Sequence, residues 1–298
     1  MRHVVIFIAA LCSVAAFAAQ TIITPRHSPV PGGIAVIELA ASTSAARPTA
    51  YYQSKRVMVI GGAGHWQAVV GIPLDTSPGE QTLEISVPGS EPQQVSFSVQ
   101  AKEYETQHLT ITNKRMVEPS ATDLLRIEKE TKIIQTSLRH FSEADEVPLN
   151  FAVPVQGPLS SPFGLRRFFN EQPRKPHSGL DLAAPKGAPI KAPAAGTVIA
   201  VGNYFFNGNT VVLDHGQGLI SMYSHMDRIT VKEGQHVTLG TPLGAVGMTG
   251  RVTGPHLHWT ISLNDTRVDP LLLFSEQTLA QLSGPKKSEA VHGEPNGQ

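Results

Sequence analysis

The sequence predicts a mainly β protein, with a β-sandwich-like N-terminal domain, an amphipathic helical linker and an all-β C-terminal domain. Three observations carry this. Residues 20–100 give short β-rich runs broken by turn clusters, residues 120–141 repeat apolar side chains at helical spacing, and residues 151–274 return to Gly, Pro and β-branched residues. At 298 residues the chain exceeds one ordinary domain and has the apolar content to bury more than one core.

The chain starts MRHVVIFIAALCSVAAFAAQ, with Arg2 ahead of an uncharged run and small residues at Ala16 and Ala18. This predicts a signal peptide over 1–18, cut after Ala18, and hence an exported protein of the periplasm or cell wall. The uncharged stretch from Val4 to Ala19 is shorter than the roughly 20 apolar residues of a spanning helix, so no membrane span is expected after signal removal. Cys12, the single cysteine, lies inside that segment. The mature chain is then expected to have no disulfide and no cysteine ligand, which leaves His and carboxylate to hold any metal.

From 19 to 100 the runs GIAVIELA, KRVMVIG, HWQAVVGIPL, QTLEISV and QQVSFSVQ alternate with SPVPGG, TSPGE and PGSEP, as in a small sandwich. Residues 101–149 form an extension and helical linker. Ser120 with Asp123 marks the helix start, and Leu124, Ile127, Ile134, Leu138 and Phe141 make an apolar face opposite Arg126, Glu130 and Lys132. The mixed sign of that polar face favours a helix packed on a neighbouring domain over one lying on a membrane. Pro148, Pro154 and Pro158 close the linker. Residues 150–275 read as the all-β module, and the polar 276–298 as a disordered tail.

Within the all-β module, HSGLD at 177–181 and HLHW at 256–259 set two motifs facing one another. In an extended strand His256 and His258 share a face, as do His177 and Asp181 four apart, and His225 in MYSHMD is placed to reach that face from a neighbouring strand. Neutral imidazoles and a single carboxylate suit zinc, whereas calcium or magnesium would want more oxygen ligands. Two His and one Asp leave the fourth tetrahedral position for water, as in catalytic sites. Zinc there lowers the water's pKa toward ~7 and polarises a carbonyl, and the remaining histidines move the proton and hold the oxyanion.

HSGLD, YSHM and GPHLHW, in this order, together with GTVIAVG, VVLDHGQG and VKEGQHVTLGTPLGAVG, resemble the motifs of the lysostaphin/LytM-type zinc endopeptidases over residues 150–275. The resemblance implies that His177, Asp181 and His258 hold one Zn2+ per chain, with His256 as general base and His225 stabilising the transition state. It also implies a murein endopeptidase whose substrates are peptidoglycan stem peptides cross-linked to one another. The segment EYETQHLTITNKRMVEPSATDLLRIEKE is similar to the extension of periplasmic Gram-negative members. One position departs from the family pattern: Thr260 stands where a Glu usually follows the aromatic residue.

Two other functions compete with this reading. IKAPAAGTVIAVG and VKEGQHVTLGTPLGAVG resemble half-repeats of biotinyl or lipoyl carriers, but MTGRVTGP offers no lysine to modify, so shared β architecture is the reading. The alternative is a non-catalytic peptidoglycan-binding regulator that activates another murein hydrolase. Such proteins typically lack some of the ligands, whereas here the full set of five residues is present. Lys plus Arg and Asp plus Glu are 24 each, giving no field for nucleic acid. A regulatory protein partner remains compatible with the sequence, and the N-terminal domain or helix is a candidate cover for the groove. His215 is read as structural and His236 as exposed, while Phe205 and Phe206 are read as a groove wall or as core.

Overall fold

The computed structural model describes residues 23–39, 46–62, 64–87 and 89–283. The expected signal peptide and Cys12 lie outside the described residues. Strands β1 (Ile34–Leu39), β2 (Thr49–Tyr52), β3 (Lys55–Gly62), β4 (His65–Gly71), β5 (Gly79–Ser86) and β6 (Gln93–Val99) form one antiparallel ladder, ordered β1-β4-β3-β2-β5-β6. The short β2 escapes the sequence patterns. Gln53 and Ser54, both left-handed at φ 50° and 61°, turn it tightly into β3.

β3 is shared, with its start paired to β2 and its end to β4, so the ladder folds over itself. Alternation then sends Val57 and Val59 into the sandwich core beside Ala35, Ile37, Leu83 and Ile85. The intervening Met58 and Ile60, with Ile34 and Val69, face outward into the core of the C-terminal module, beside Leu263, Val268 and Leu272. This two-sided burial explains why VMVI reads as a continuous apolar run rather than an alternating one.

After β7 (Thr106–Leu109) comes α1 (Ala121–Leu138). Ser120 caps it: Oγ accepts the Asp123 N–H at 3.2 Å while Asp123 Oδ2 accepts the Ser120 N–H at 3.2 Å. The hydrogen bond from Arg115 keeps the Asp123 carboxyl ionised well below the usual carboxylate range. Ile134 and Leu138 pack on Ala200, Val212, Ile220 and Met222, as expected of a linker docked on its neighbour. The apolar stripe is not buried along its whole length, because Leu124 lies on the exposed first turn and Phe141 falls beyond the helix end, under the guanidinium of Arg56.

The C-terminal module comprises β8 (Leu159–Ser161), β9 (Arg166–Phe169), β10 (Gln172–Pro173), β11 (Leu180–Ala183), β12 (Pro189–Lys191), β13 (Gly196–Tyr204), β14 (Gly208–Asp214), β15 (Leu219–Ile229), β16 (His236–Val237), β17 (Pro242–Val246), β18 (His256–Leu263) and β19 (Thr266–Val268). Its main sheet runs β16-β13-β14-β15-β18-β11-β8, and β7 of the extension adds in parallel to β9. Trp259, fully buried on β18, stacks on Phe274 and tilts against Phe151.

Asn264 bonds the N–H and C=O of Gly71, and Gln217 accepts the N–H of Val59, so the sandwich is joined to the module near the end of β18 remote from His256. The extension instead pairs β7 with β9 and, at Met116 O, accepts a hydrogen bond from Arg251. One expectation is corrected. Residues Glu276–Ser283 form a helix, α2, rather than the start of a disordered tail. Ser275 Oγ accepts the Thr278 N–H, and Leu279 and Leu282, one turn apart, pack on the core. Residues 284–298 lie outside the described residues.

Candidate metal centre

β11 and β18 run antiparallel with Asp181 opposite His258 and Ala183 opposite His256. Asp181, His256 and His258 therefore share one face, while Leu182 and Leu257, also paired, point into the core. His177 reaches that face from the loop before β11. Gly179 allows the approach, since a Cβ there would lie 2.5 Å from Trp259 O and 2.9 Å from His258 Cε1.

Three ligand atoms converge. His258 Nδ1 is 2.7 Å from Asp181 Oδ1, His177 Nε2 is 3.1 Å from the same oxygen, and the two ring nitrogens are 3.0 Å apart. The opposite ring nitrogens are committed elsewhere: His177 Nδ1–H donates to Pro162 O at 2.7 Å, and His258 Nε2 meets Thr260 Oγ1 at 3.0 Å. Neutral imidazoles held in this way turn two lone pairs and a carboxylate oxygen toward one point, a donor set that a cation satisfies and that water-filled packing does not. Among the described residues this is the group of His, Asp and Glu side chains with metal-ligand spacing.

Electrostatics agree with that form. Burial, aided by the neighbouring His258 and Arg167, pushes His177 down to about 4 and keeps it neutral. Burial opposes ionisation of Asp181, but the close approach of His177 Nε2 and His258 Nδ1 outweighs it and holds the carboxyl well below its usual range. Arg167 Nη2 donates to the outer oxygen, Oδ2, at 3.1 Å, leaving Oδ1 to the cluster.

His225 and His256 stand beside the cluster. Their rings are 5.0 Å apart, His225 is 5.9 Å from the His258 ring, and His256 Nε2 is 3.8 Å from Asp181 Oδ1. Pairing of β15 with β14 slips across Ser224 and His225, and with β17 at Asp227, and His225 itself is left-handed at φ 65°. A non-glycine residue in that region costs roughly 1–3 kcal/mol, and here the bulge re-aims a side chain that a regular strand would point elsewhere. His225 Nδ1–H donates to Thr249 O at 2.8 Å and His256 Nδ1–H to Gly254 O at 2.9 Å, which frees both Nε2 atoms. Burial, then the proximity of His258 and His256, lowers His225 to about 3.

The profile of "Peptidase family M23" matches residues 175–270, and that of its N-terminal domain matches residues 27–102. A crystal structure described as a peptidase M23 from Pseudomonas aeruginosa is 47% identical, with a TM-score of 0.71, covering 83% of this chain and 95% of that one. The chain belongs to peptidase family M23. Similar M23 relatives include the peptidoglycan DD-endopeptidase ShyA of Vibrio cholerae, 40% identical over 114 residues, and the DD-carboxypeptidase/endopeptidase Mpg of Neisseria meningitidis, 39% identical over 113. Each alignment covers 38% of this chain and 26% of the relative, so the chain matches about a quarter of the length of these curated relatives.

All five residues singled out in the M23 motifs meet at this site. His215 does not; it is buried, with Nδ1–H on Ala195 O and Nε2 accepting from Ser221 Oγ, and His236 is exposed. Phe205 is buried, while Phe206 is half-buried and lies against Arg251. The sequence marks Thr260 only as a departure from the family pattern, whereas its hydroxyl orients His258. It did not single out Pro162, Thr249 or Gly254, whose carbonyls hold the other rings and leave no trace in side-chain patterns.

Proposed function

We propose that the chain is an exported zinc metalloendopeptidase that hydrolyses peptide cross-links of bacterial peptidoglycan. What carries the reading is the convergence of His177, Asp181 and His258 on one point, with two further histidines presenting free Nε2 atoms beside it. The named peptidoglycan endopeptidases among its relatives support the substrate class. His177, Asp181 and His258 would hold the metal. Zinc, when bound, supplies a Lewis acid that lowers the pKa of water and polarises the peptide carbonyl.

His256 takes the proton of the attacking water at Nε2 and passes it on to the leaving amine. His225 faces the developing oxyanion. The bond from its Nδ1–H to Thr249 O fixes the ring so that Nε2 faces the site. Arg167 keeps the Asp181 carboxylate oriented through Oδ2.

Zinc content measured beside turnover separates the two groups of residues. His177→Ala and Asp181→Ala are expected to lose the equimolar zinc, while His225→Ala and His256→Ala keep it and lose at least about 100-fold in kcat. Full turnover in the His225 and His256 variants would contradict the roles assigned to them.

A further inference from the structure

Beside the histidines the fold gathers arginines with too few carboxylates to neutralise them. Arg167 pairs with Asp181, and its Nε is buried with no hydrogen-bond partner. Arg174 directs Nη2 to Val117 O and to Gln172 Oε1, both uncharged. Arg251 lies between the rings of Phe169 and Phe206, 4.8 and 4.2 Å from their centroids, and its guanidinium makes one long hydrogen bond, from Nη1 to Met116 O at 3.4 Å. Among the described residues no carboxylate pairs with Arg174 or Arg251.

Burial, then the nearby charges of Arg174 and Arg167, brings Arg251 down to about 10, still a cation at neutral pH. A half-buried guanidinium without a counter-charge is costly unless something offsets it. Stacking between two aromatic rings offsets part of the cost and fixes the plane of the fork, but leaves most of its N–H groups without acceptors.

Arg251 also lines a cleft of about 290 Å³ whose far wall is the extension, through Ile111, Asn113 and Met116. In the chain it stands between Thr249, whose carbonyl holds His225, and His256. Gly250, next to Thr249, lines the same cleft, so the cleft adjoins the loop that holds His225, and Arg251 offers a preset positive fork in its wall.

We propose that Arg251, with Arg174 beside it, recognises a free carboxylate of the peptide substrate in this cleft and so selects acidic over amidated peptides. The proposal rests on the hydrolase reading for the identity of the substrate and adds to it the chemical group that is read. A planar fork takes a carboxylate through two parallel hydrogen bonds, whereas a carboxamide presents one oxygen and two unwanted donors.

The test is calorimetric titration of the zinc-loaded full chain with a synthetic peptidoglycan stem tetrapeptide, its carboxylates either free or converted to carboxamides. The unaltered chain is expected to bind the free acid about ten- to hundredfold more tightly. Arg251→Gln should bring the free acid down to the affinity of the amide and leave the amide unchanged, and Arg251→Lys should retain part of the preference. Arg174→Gln, which leaves the aromatic sandwich intact, is the second probe and should reduce the preference in the same sense, including where Arg251→Gln does not fold. Equal binding of the two peptides, no binding of either, or an equal loss on both peptides in Arg251→Gln would overturn the proposal and leave Arg251 a packing residue. Release of cleaved products is scored separately: cleavage without a carboxylate preference sinks this inference and spares the hydrolase, and a preference without cleavage does the reverse.

Discussion

His258 is held at both ends of its ring, by the metal-facing cluster at Nδ1 and by Thr260 Oγ1 at Nε2. Thr260 is fully buried, so no water replaces its hydroxyl if it is removed. Thr260→Val is therefore expected to lower zinc affinity about tenfold in a chelator competition while the fold persists. His215, remote from the cluster, makes a separate claim. Burial pushes it from 6.5 to about 4, so between those values the unfolded chain binds a proton that the folded chain refuses. Its contribution to stability is present above about pH 6.5 and is lost as the pH falls toward 4, an effect of about 3 kcal/mol. Urea unfolding at pH 7 and pH 4 should show that portion of the pH dependence missing in His215→Gln; an unchanged dependence would contradict it. At this scale the sequence was legible where chemistry sits in side chains at strand spacing, as in His177, Asp181, His256 and His258. It was silent where the partner is a backbone carbonyl, as with Pro162, Thr249 and Gly254.

The pairing of β11 with β18 is the element on which the site depends, since one register sets Asp181 across from His258 and buries Leu182 against the other face. A methyl at Gly179 would meet the backbone of β18 at Trp259 O and the ring of His258 itself. Gly179→Ala is expected to shift the two strands apart, weakening zinc binding and lowering stability by about 1–3 kcal/mol, measured by metal titration and by denaturation. Unaltered zinc affinity would show that His177 tolerates a looser approach. α1 was legible because a capping box precedes a helical repeat, and its C-terminal half packs as the repeat implies. α2 was not, because eight residues with two leucines in a polar stretch give too short a period to read. His225 required a bulge in β15 that no local pattern announces, although YSH drew notice to the residue.

At the scale of the whole molecule, the sandwich and the C-terminal sheet share one apolar core across β3, with Asn264 and Gln217 bonding backbone groups of the sandwich. The sequence separated two β textures but carried no sign that alternate residues of VMVI serve two cores. The described bonds of the sandwich gather at the end of β18 remote from His256, while residues around Met116 border the groove. The extension rather than the sandwich thus lines the cleft that holds Arg251, and Met116 O accepts its hydrogen bond.

Mass-spectrometric analysis of purified peptidoglycan incubated with the full chain, stripped of metal and then restored with zinc, beside His177→Ala, tests the whole account most directly. Cross-linked peptides cleaved only when zinc is restored, and not by the variant, are the predicted result. Intact cross-links with zinc bound at one per chain would contradict it and point instead to a protein that binds the wall and acts through another hydrolase.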